Sequence, residues 1–309
     1  MRARTWLLVV GVALIGLVAV ADSVRGRLQS DSAAEATTDE NRVAAPGTSG
    51  VLYYTDEFCQ LQAIRLPNGE PVQVPPTRGT PCRFAISPDD LSARGGEVRF
   101  APRGRLEVAS SGELLQIFSR DRPLSGPFVA SAPAFKPDGT LTFFRDGKVV
   151  EWQGERVVLM QRHLRRTVRR ALGAPRPRAV TLRDLAWLSD SRAVAVLGWG
   201  PEDVVAVFEG RSVVAAWPRL GESFRRLRAS PRGNYFALET EGAGFLLFDR
   251  DGRQLPVSPV EDFHALAWSP DEQWLAIAAG RRILIRRPEA GEMRPPRSLE
   301  LEARDLAWH

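Results

Sequence analysis

A short motif recurs along this chain at a nearly constant interval. Its clearest copy is LAWSPD at 266–271, which is followed by an apolar run at 275–278. Six copies place an aromatic or small residue at the equivalent point: Phe100, Phe135, Trp187, Ala229, Trp268 and Trp308. The intervals between these positions are 35, 52, 42, 39 and 40 residues. Self-similarity at such a period indicates a repeat architecture in which each copy is one supersecondary unit.

Each copy contains the signals of four short strands. Proline followed by Asp or Gly predicts a tight hairpin turn, as in SPD at 269–271 and KPDG at 136–139. A β-rich run follows each turn, a third run comes after it, and a fourth is visible after DRDG at 249–252. Four strands per unit at this period are typical of the blades of a β-propeller, so the sequence predicts an all-β ring.

The two ends of the repeat region predict how the ring closes. The strand at 305–308 has no blade after it, and the runs at 51–54, 61–66 and 72–74 have no inner strand before them. Together they make one blade, and five whole blades bring the count to six. The motif at 84–89 does not fit, because Pro88 lies only 14 residues before Pro102, too few for four strands of about five residues. We interpret it as an elaborated start of the second blade, and a seven-bladed ring is the alternative.

The motif string resembles the TolB-type, WD-repeat-like propeller repeats of the periplasmic TolB protein and of prolyl-oligopeptidase-like enzymes. The resemblance covers residues 51–309 and implies the propeller fold. The chain shows neither the α/β domain that TolB carries ahead of its propeller nor a Gly-x-Ser-x-Gly motif. The first difference argues against a role in a Tol system, and the second against a peptidase.

The N-terminus has the pattern of an export signal. Arg2 and Arg4 precede an uncharged apolar run at 6–21, which predicts that the propeller lies outside the cytoplasm. We expect residues 1–28 to form an apolar helix that anchors a single-pass protein in the cell membrane, because no proline interrupts 22–28. The alternative is a signal peptide cleaved at Ala21, which would leave a secreted or periplasmic protein. Residues 29–50 are polar, without apolar periodicity, and are predicted to be a disordered tether.

Two cysteines, Cys59 and Cys82, lie among the N-terminal strands that close the ring. In an oxidising compartment an even pair predicts a disulfide, and two buried thiols are the alternative. His163, His264 and His309 are far apart and lack ligand spacing, so we expect no metal site and no cofactor.

The positive charge of the chain is concentrated in one segment. Eight arginines and no acidic residue fall within 156–178, whereas the net charge of the whole chain is only +5. Apolar residues recur there at every fourth position and predict an amphipathic helix that ends at Gly173 and Pro175: Met160, Leu164, Val168 and Leu172.

Two roles remain open for this basic helix, Arg162 to Arg170. It either docks on an acidic partner or an anionic membrane, or it caps the ring with its apolar stripe and leaves its arginines solvated. We expect no nucleic acid as a partner, because no aromatic residues interleave the arginines.

Propellers bind ligands at the mouth of the central channel, where the innermost strands begin. Four copies of the repeat place a potential cation two residues before the first apolar residue of that strand: Arg183, Arg225, His264 and Arg304. They predict an incomplete basic arc that binds carboxylates or the acidic side of a peptide. The alternative is that each arginine pairs with a neighbouring acid and joins two blades.

From these patterns we expect a monomeric, non-enzymatic, membrane-tethered scaffold that binds a protein or peptide. The alternative function is a hydrolase or lyase for a small ligand, because His264 beside Glu261 and Asp262 suits general acid–base chemistry. No motif supplies a serine or cysteine nucleophile there.

Overall fold

Seven β-sheets follow one another along the part of the chain that the structure describes. In this computed structural model the described residues are 48–79, 82–88, 92–102, 106–119, 122–154, 156–173, 179–219, 224–240, 244–288 and 297–309. The predicted apolar helix at 1–28 and nearly all of the predicted tether at 29–50 lie outside them. We number the sheets blades 1 to 7 in ring order and give the strands of each from the innermost outward.

The strands have the following bounds. Blade 1 consists of β28 (Asp305–Trp308), β1 (Gly50–Thr55), β2 (Leu61–Leu66) and β3 (Glu70–Pro71), and blade 2 of β5 (Phe84–Ile86), β6 (Ala93–Gly95) and β4 (Thr77–Arg78). Blade 3 consists of β7 (Glu97–Phe100), β8 (Leu106–Ser111) and β9 (Leu114–Ser119), with β10 (Arg122–Pro123) and β11 (Phe128–Val129) both paired to β9. Blade 4 consists of β12 (Ser131–Phe135), β13 (Leu141–Arg145), β14 (Lys148–Glu151) and β15 (Val157–Met160). Blade 5 consists of β16 (Thr181–Trp187), β17 (Arg192–Trp199), β18 (Glu202–Glu209) and β19 (Ser212–Arg219). Blade 6 consists of β20 (Phe224–Ala229), β21 (Tyr235–Thr240), β22 (Gly244–Asp249) and β23 (Gln254–Leu255), and blade 7 of β24 (Phe263–Trp268), β25 (Leu275–Ala279), β26 (Arg282–Arg286) and β27 (Arg297–Leu299).

The ring closes through the two ends of the propeller, as predicted. The last strand, β28, pairs antiparallel with β1, so that Trp308 lies opposite Leu52 and Ala307 opposite Tyr53. The indole Nε1 of Trp308 also donates a hydrogen bond to the carbonyl oxygen of Ser49, at 3.1 Å. The first and last strands of the ring therefore share one sheet, which leaves no unpaired terminal blade.

The prediction of six blades was wrong, and the seven-bladed alternative is correct. The segment that we interpreted as an elaborated start of the second blade forms a sheet of its own, blade 2, with Phe84–Ile86 as its inner strand. Its strands are only two or three residues long, and β4 pairs parallel with β6. The prediction required four strands of about five residues each, so it overlooked a three-stranded blade that fits the same interval.

Apolar side chains fill the spaces between neighbouring blades. The central strands β17 and β18 of blade 5 are covered by blade 4 on one face and by blade 6 on the other. Burial on both faces explains their unbroken runs of Val, Ala and Leu. Trp187 is buried between blades 5 and 4, and its Nε1 donates to Thr142 Oγ1 of blade 4 at 2.8 Å. Trp268 stacks on Tyr235 of blade 6, with ring centroids 5.6 Å apart. Each blade thus depends on its neighbour for burial.

A helix, α1 (Gln161–Leu172), follows the outer strand of blade 4 and precedes the inner strand of blade 5. Leu164 and Val168 are fully buried among apolar residues of both blades, including Leu159 and Leu182. The helix ends at Gly173, whose positive φ of 61° suits a C-terminal glycine. The predicted apolar stripe therefore packs inward, and the helix fills the space between blades 4 and 5.

Candidate functional site

The mouth of the channel is the end of the ring at which the innermost strands begin. In blades 5, 6 and 7 that strand carries a β-bulge, an extra residue that has no direct partner in the ladder. The register places Arg183, Arg225 and His264 at the three bulges. Bulges commonly re-aim a side chain at a functional site, and here the same distortion recurs in three successive blades. Arg304 precedes β28 in blade 1, and its amide donates to the carbonyl oxygen of Thr55 at 2.7 Å.

Three of the four cations chosen from the sequence come together. Arg225 donates a hydrogen bond from Nη1 to the carbonyl oxygen of His264 at 2.5 Å. Nη1 of Arg304 lies 3.5 Å from Nε2 of His264. These residues belong to blades 6, 7 and 1, so the contact follows the curve of the mouth. We call Arg225, His264 and Arg304 the mouth cluster.

Arg183 stands apart from this cluster. Its Nε forms an ion pair with Asp203 Oδ1 of the same blade at 2.9 Å. For this residue the structure shows the alternative role, an arginine paired with a nearby acid, although the pair lies within a blade and does not join two. Arg304 is likewise paired with a nearby acid, Glu302.

The mouth cluster carries more positive than negative charge. The acid in hydrogen-bond contact with it is Glu302, whose Oε1 accepts from Arg304 Nη2 at 3.2 Å. Burial lowers the pKa of His264, and Arg304 and Arg225 lower it further, while Glu302 and Asp262 act in the opposite direction. His264 is therefore neutral near pH 7, and of the two arginines only Arg304 forms an ion pair with a described carboxylate, that of Glu302. Such a surplus of fixed guanidinium donors suits an incoming carboxylate.

The arrangement around His264 lacks the parts of an acid–base catalyst. Among the described residues, the ring of His264 hydrogen-bonds to Arg304 and to no carboxylate, hydroxyl or thiol. The acids beside it, Glu261 and Asp262, are exposed and line a depression of about 460 Å³ together with Arg281 and Arg282. A general base needs a group that orients it and a nucleophile within reach. The geometry supplies neither to His264.

Beyond the mouth cluster, a buried network of charges joins the inner strands around the axis. Asp184 of blade 5 accepts hydrogen bonds from Arg99 Nη2 of blade 3 at 2.5 Å and from the Leu227 amide of blade 6 at 3.0 Å. Asp305 of blade 1 accepts one from the Phe84 amide of blade 2 at 3.2 Å.

Two further arginines complete this axial network. Arg228 bridges Asp305 and Glu239, at 2.8 and 2.6 Å, and Arg226 also pairs with Asp305 at 3.3 Å. Three arginines thus meet three carboxylates, so the network is balanced and joins the blades. Sequence reasoning overlooked these arginines, because nothing local in the sequence connects strands so far apart along the chain.

The predicted disulfide between Cys59 and Cys82 is confirmed, with Cα atoms 4.4 Å apart. It ties the loop after β1 to the start of the inner strand of blade 2, at the mouth end of both blades. The Asp56 carboxylate accepts hydrogen bonds from the amides of Phe58 and Gln60, at 3.0 and 2.8 Å. This fixed loop leaves the Phe58 side chain exposed, at 66%. A single exposed aromatic is common on protein surfaces, and the sequence did not single Phe58 out.

Comparisons with known proteins add little to this picture. No family model matches the chain, and no curated protein matches it. Among solved structures, the β-propeller domain of Cps50 (Swd1) from Myceliophteria thermophila is similar over 70% of this chain and 91% of that chain, with 12% sequence identity and a TM-score of 0.40. The strand pairing itself therefore carries the assignment to a seven-bladed, WD-repeat-like β-propeller fold.

Two kinds of feature are absent from the described residues. Among them, no helix has the length and apolar character that crossing a bilayer requires. The same residues bring together no group of three or more His, Cys, Asp or Glu side chains that could hold a metal ion.

Proposed function

We propose that this protein is a non-enzymatic scaffold whose channel mouth binds an acidic protein or peptide. A β-propeller is a typical protein-binding scaffold, and blade loops and channel residues decide what it binds. The observation that carries the proposal is the mouth cluster, in which Arg225 and Arg304 flank a neutral His264 and, among the described residues, only Arg304 is ion-paired, with Glu302.

Phe58 adds an apolar contact to the same end of the ring. Its loop follows Thr55, which accepts a hydrogen bond from the amide of Arg304. A peptide that places a carboxylate on the mouth cluster could therefore bury an apolar side chain against Phe58. Aromatic and arginine side chains are the residues that most often dominate binding energy at protein interfaces.

The proposal also includes a subcellular location. The positive start and apolar run at 6–21 support export and a single membrane anchor, with the propeller outside the cytoplasm as a monomer. Cleavage at Ala21 would instead release it as a secreted or periplasmic protein. The repeat motifs support the finer TolB-type assignment within the propeller fold.

A co-purification experiment tests the mouth cluster. Full-length tagged protein, extracted from its own envelope with detergent, is compared with an Arg225→Gln/Arg304→Gln variant. We expect the variant to recover its partners at least about tenfold less well, because charge-assisted hydrogen bonds to a partner carboxylate are lost. Arg183→Gln is the matched control, since it changes the equivalent bulge residue, which is already paired with Asp203. Equal recovery by all three proteins would disprove the proposal.

A further inference from the structure

The helix α1 presents a row of arginines on the side opposite its buried residues. Five of them are exposed: Arg162, Arg165, Arg166, Arg169 and Arg170. Leu164, Thr167 and Val168 of the same helix are buried. No carboxylate of the described residues forms an ion pair with any of the five arginines. Their charge is therefore left to the solvent or to a binding partner.

This arrangement works against the stability of the helix. Residues three and four apart are neighbours on a helix surface, and like charges at these spacings repel. The first turn contains no acidic residue, and Arg162 lies there, where the helix dipole disfavours a cation, although the dipole favours Arg169 and Arg170 in the last turn. The positive charge of the arginines also affects His163. Burial lowers the pKa of His163, and Arg162, Arg211 and Arg166 lower it further. Packing of the buried side must hold this helix in place.

We propose that the arginine face of α1 is a second docking surface, separate from the channel mouth, which binds an acidic segment of a partner protein. Arg162, Arg166 and Arg169 follow the spacing of one helix face and span about 10 Å at the usual rise per residue. Guanidinium groups match carboxylates in a two-pronged geometry. A segment with Glu or Asp at similar intervals is therefore the complementary ligand.

The burial of its apolar side favours a protein over a lipid surface as the occupant of α1. Helices that bind at membrane interfaces insert an apolar face among the lipids, but the apolar residues of α1 are committed to the core of blades 4 and 5.

Fluorescence anisotropy with a labelled oligoglutamate peptide and the full-length protein tests this inference. We expect Arg162→Gln/Arg166→Gln/Arg169→Gln to weaken binding roughly tenfold at low salt. Arg65→Gln/Arg122→Gln/Arg253→Gln removes the same net charge from exposed positions elsewhere and should change affinity less than about twofold. The α1 variant should unfold at the same temperature as the wild type or higher, because repulsion along the helix is relieved.

The other outcomes are equally informative. Equal weakening by both triple variants, or by neither, would overturn the inference. The inference would also be overturned if the α1 arginines were needed for binding to vesicles of phosphatidylcholine and phosphatidylserine but not for binding to the peptide. Loss of peptide binding only in Arg225→Gln/Arg304→Gln would place the acidic ligand at the mouth, which supports the proposed function and rejects this second surface.

Discussion

A single turn position shows how neighbouring blades constrain individual residues. In the hairpin turns between the first and second strands of blades 6 and 7, the equivalent residues are Gly233 and Glu272, with φ of 71° and 61°. An added Cβ at Gly233 would lie 1.8 Å from the carbonyl oxygen of Leu188 in blade 5. Glu272 adopts the same backbone conformation with a buried carboxylate, which accepts hydrogen bonds from the Arg232 amide and from Asn234 Nδ2 of blade 6. The turn requires a residue with positive φ at this position, and the space left by the adjacent blade decides whether that residue can carry a side chain.

We predict that Gly233→Ala is strongly destabilising. A collision with backbone cannot be relieved by a side-chain rotation. The free energy of unfolding, measured in urea, should therefore fall by about 3 kcal/mol or more. Gly112→Ala is the matched control, because φ is also positive there, at 60°, and nothing lies within 4 Å of the added Cβ. It should cost only about 1 kcal/mol of backbone strain. Similar losses in the two variants would show that the contact with Leu188 is not what excludes a side chain.

At the scale of elements, the inner strands are joined by ionic contacts as well as by apolar packing. Burial alone would raise the pKa of Asp305, but Arg228, Arg226 and the amides of Phe84 and Leu306 outweigh it and hold the pKa below its usual value. A carboxyl whose pKa is lowered by folding stabilises the native state above its unfolded pKa, near 4. That contribution disappears as the pH falls through the lower, native value.

Asp305→Asn should therefore change both stability and its dependence on pH. Loss of the carboxylate leaves Arg226 and Arg228 close together with one fewer counter-charge, so we expect the free energy of unfolding near pH 7 to fall by about 3 kcal/mol. Between pH 5 and pH 2, roughly, the wild type should lose stability more steeply than the variant. Urea titrations across this range measure both effects. Parallel pH profiles would contradict the role given to Asp305.

At the scale of the whole molecule, closure combines strand pairing with a covalent link. The β1–β28 pairing joins residues from the two ends of the propeller, and the disulfide joins blade 1 to the short blade 2. Blade 2 has few ladder hydrogen bonds of its own, so it gains most from being tied to its neighbour. The same link braces the loop that exposes Phe58 at the mouth.

The double variant Cys59→Ser/Cys82→Ser should remain a closed ring with reduced stability. The disulfide closes a loop with a sequence separation of 23 residues, for which the chain-entropy model gives about 3 kcal/mol. The m-value should rise, because the unfolded chain exposes more surface without the cross-link. The aromatic bands of the native near-UV circular dichroism spectrum should be retained. Loss of the native spectrum would mean that strand pairing alone does not hold the ring closed.

Much of the architecture was accessible from the sequence because its signals are periodic or local. The turn motifs recur at a steady interval, the terminal strands lack partners, and α1 has apolar residues on one side and Gly173 at its end. Part of the site followed in the same way, since the repeat aligned Arg183, Arg225 and His264 at one position. The same alignment gave no sign that Arg183 pairs with Asp203 while the other two meet Arg304.

The sequence by itself determined that the chain forms a ring of small sheets closed by its own ends, because sheets that are apolar on both faces need a neighbour on each side, and a closed ring supplies them. Only the tertiary structure decided the number of blades, because the strands of blade 2 are too short to show a period. It also decided which charges are satisfied. The Phe84 amide and the Asp305 carboxylate are 221 residues apart along the chain, and only ring closure brings them within hydrogen-bond distance.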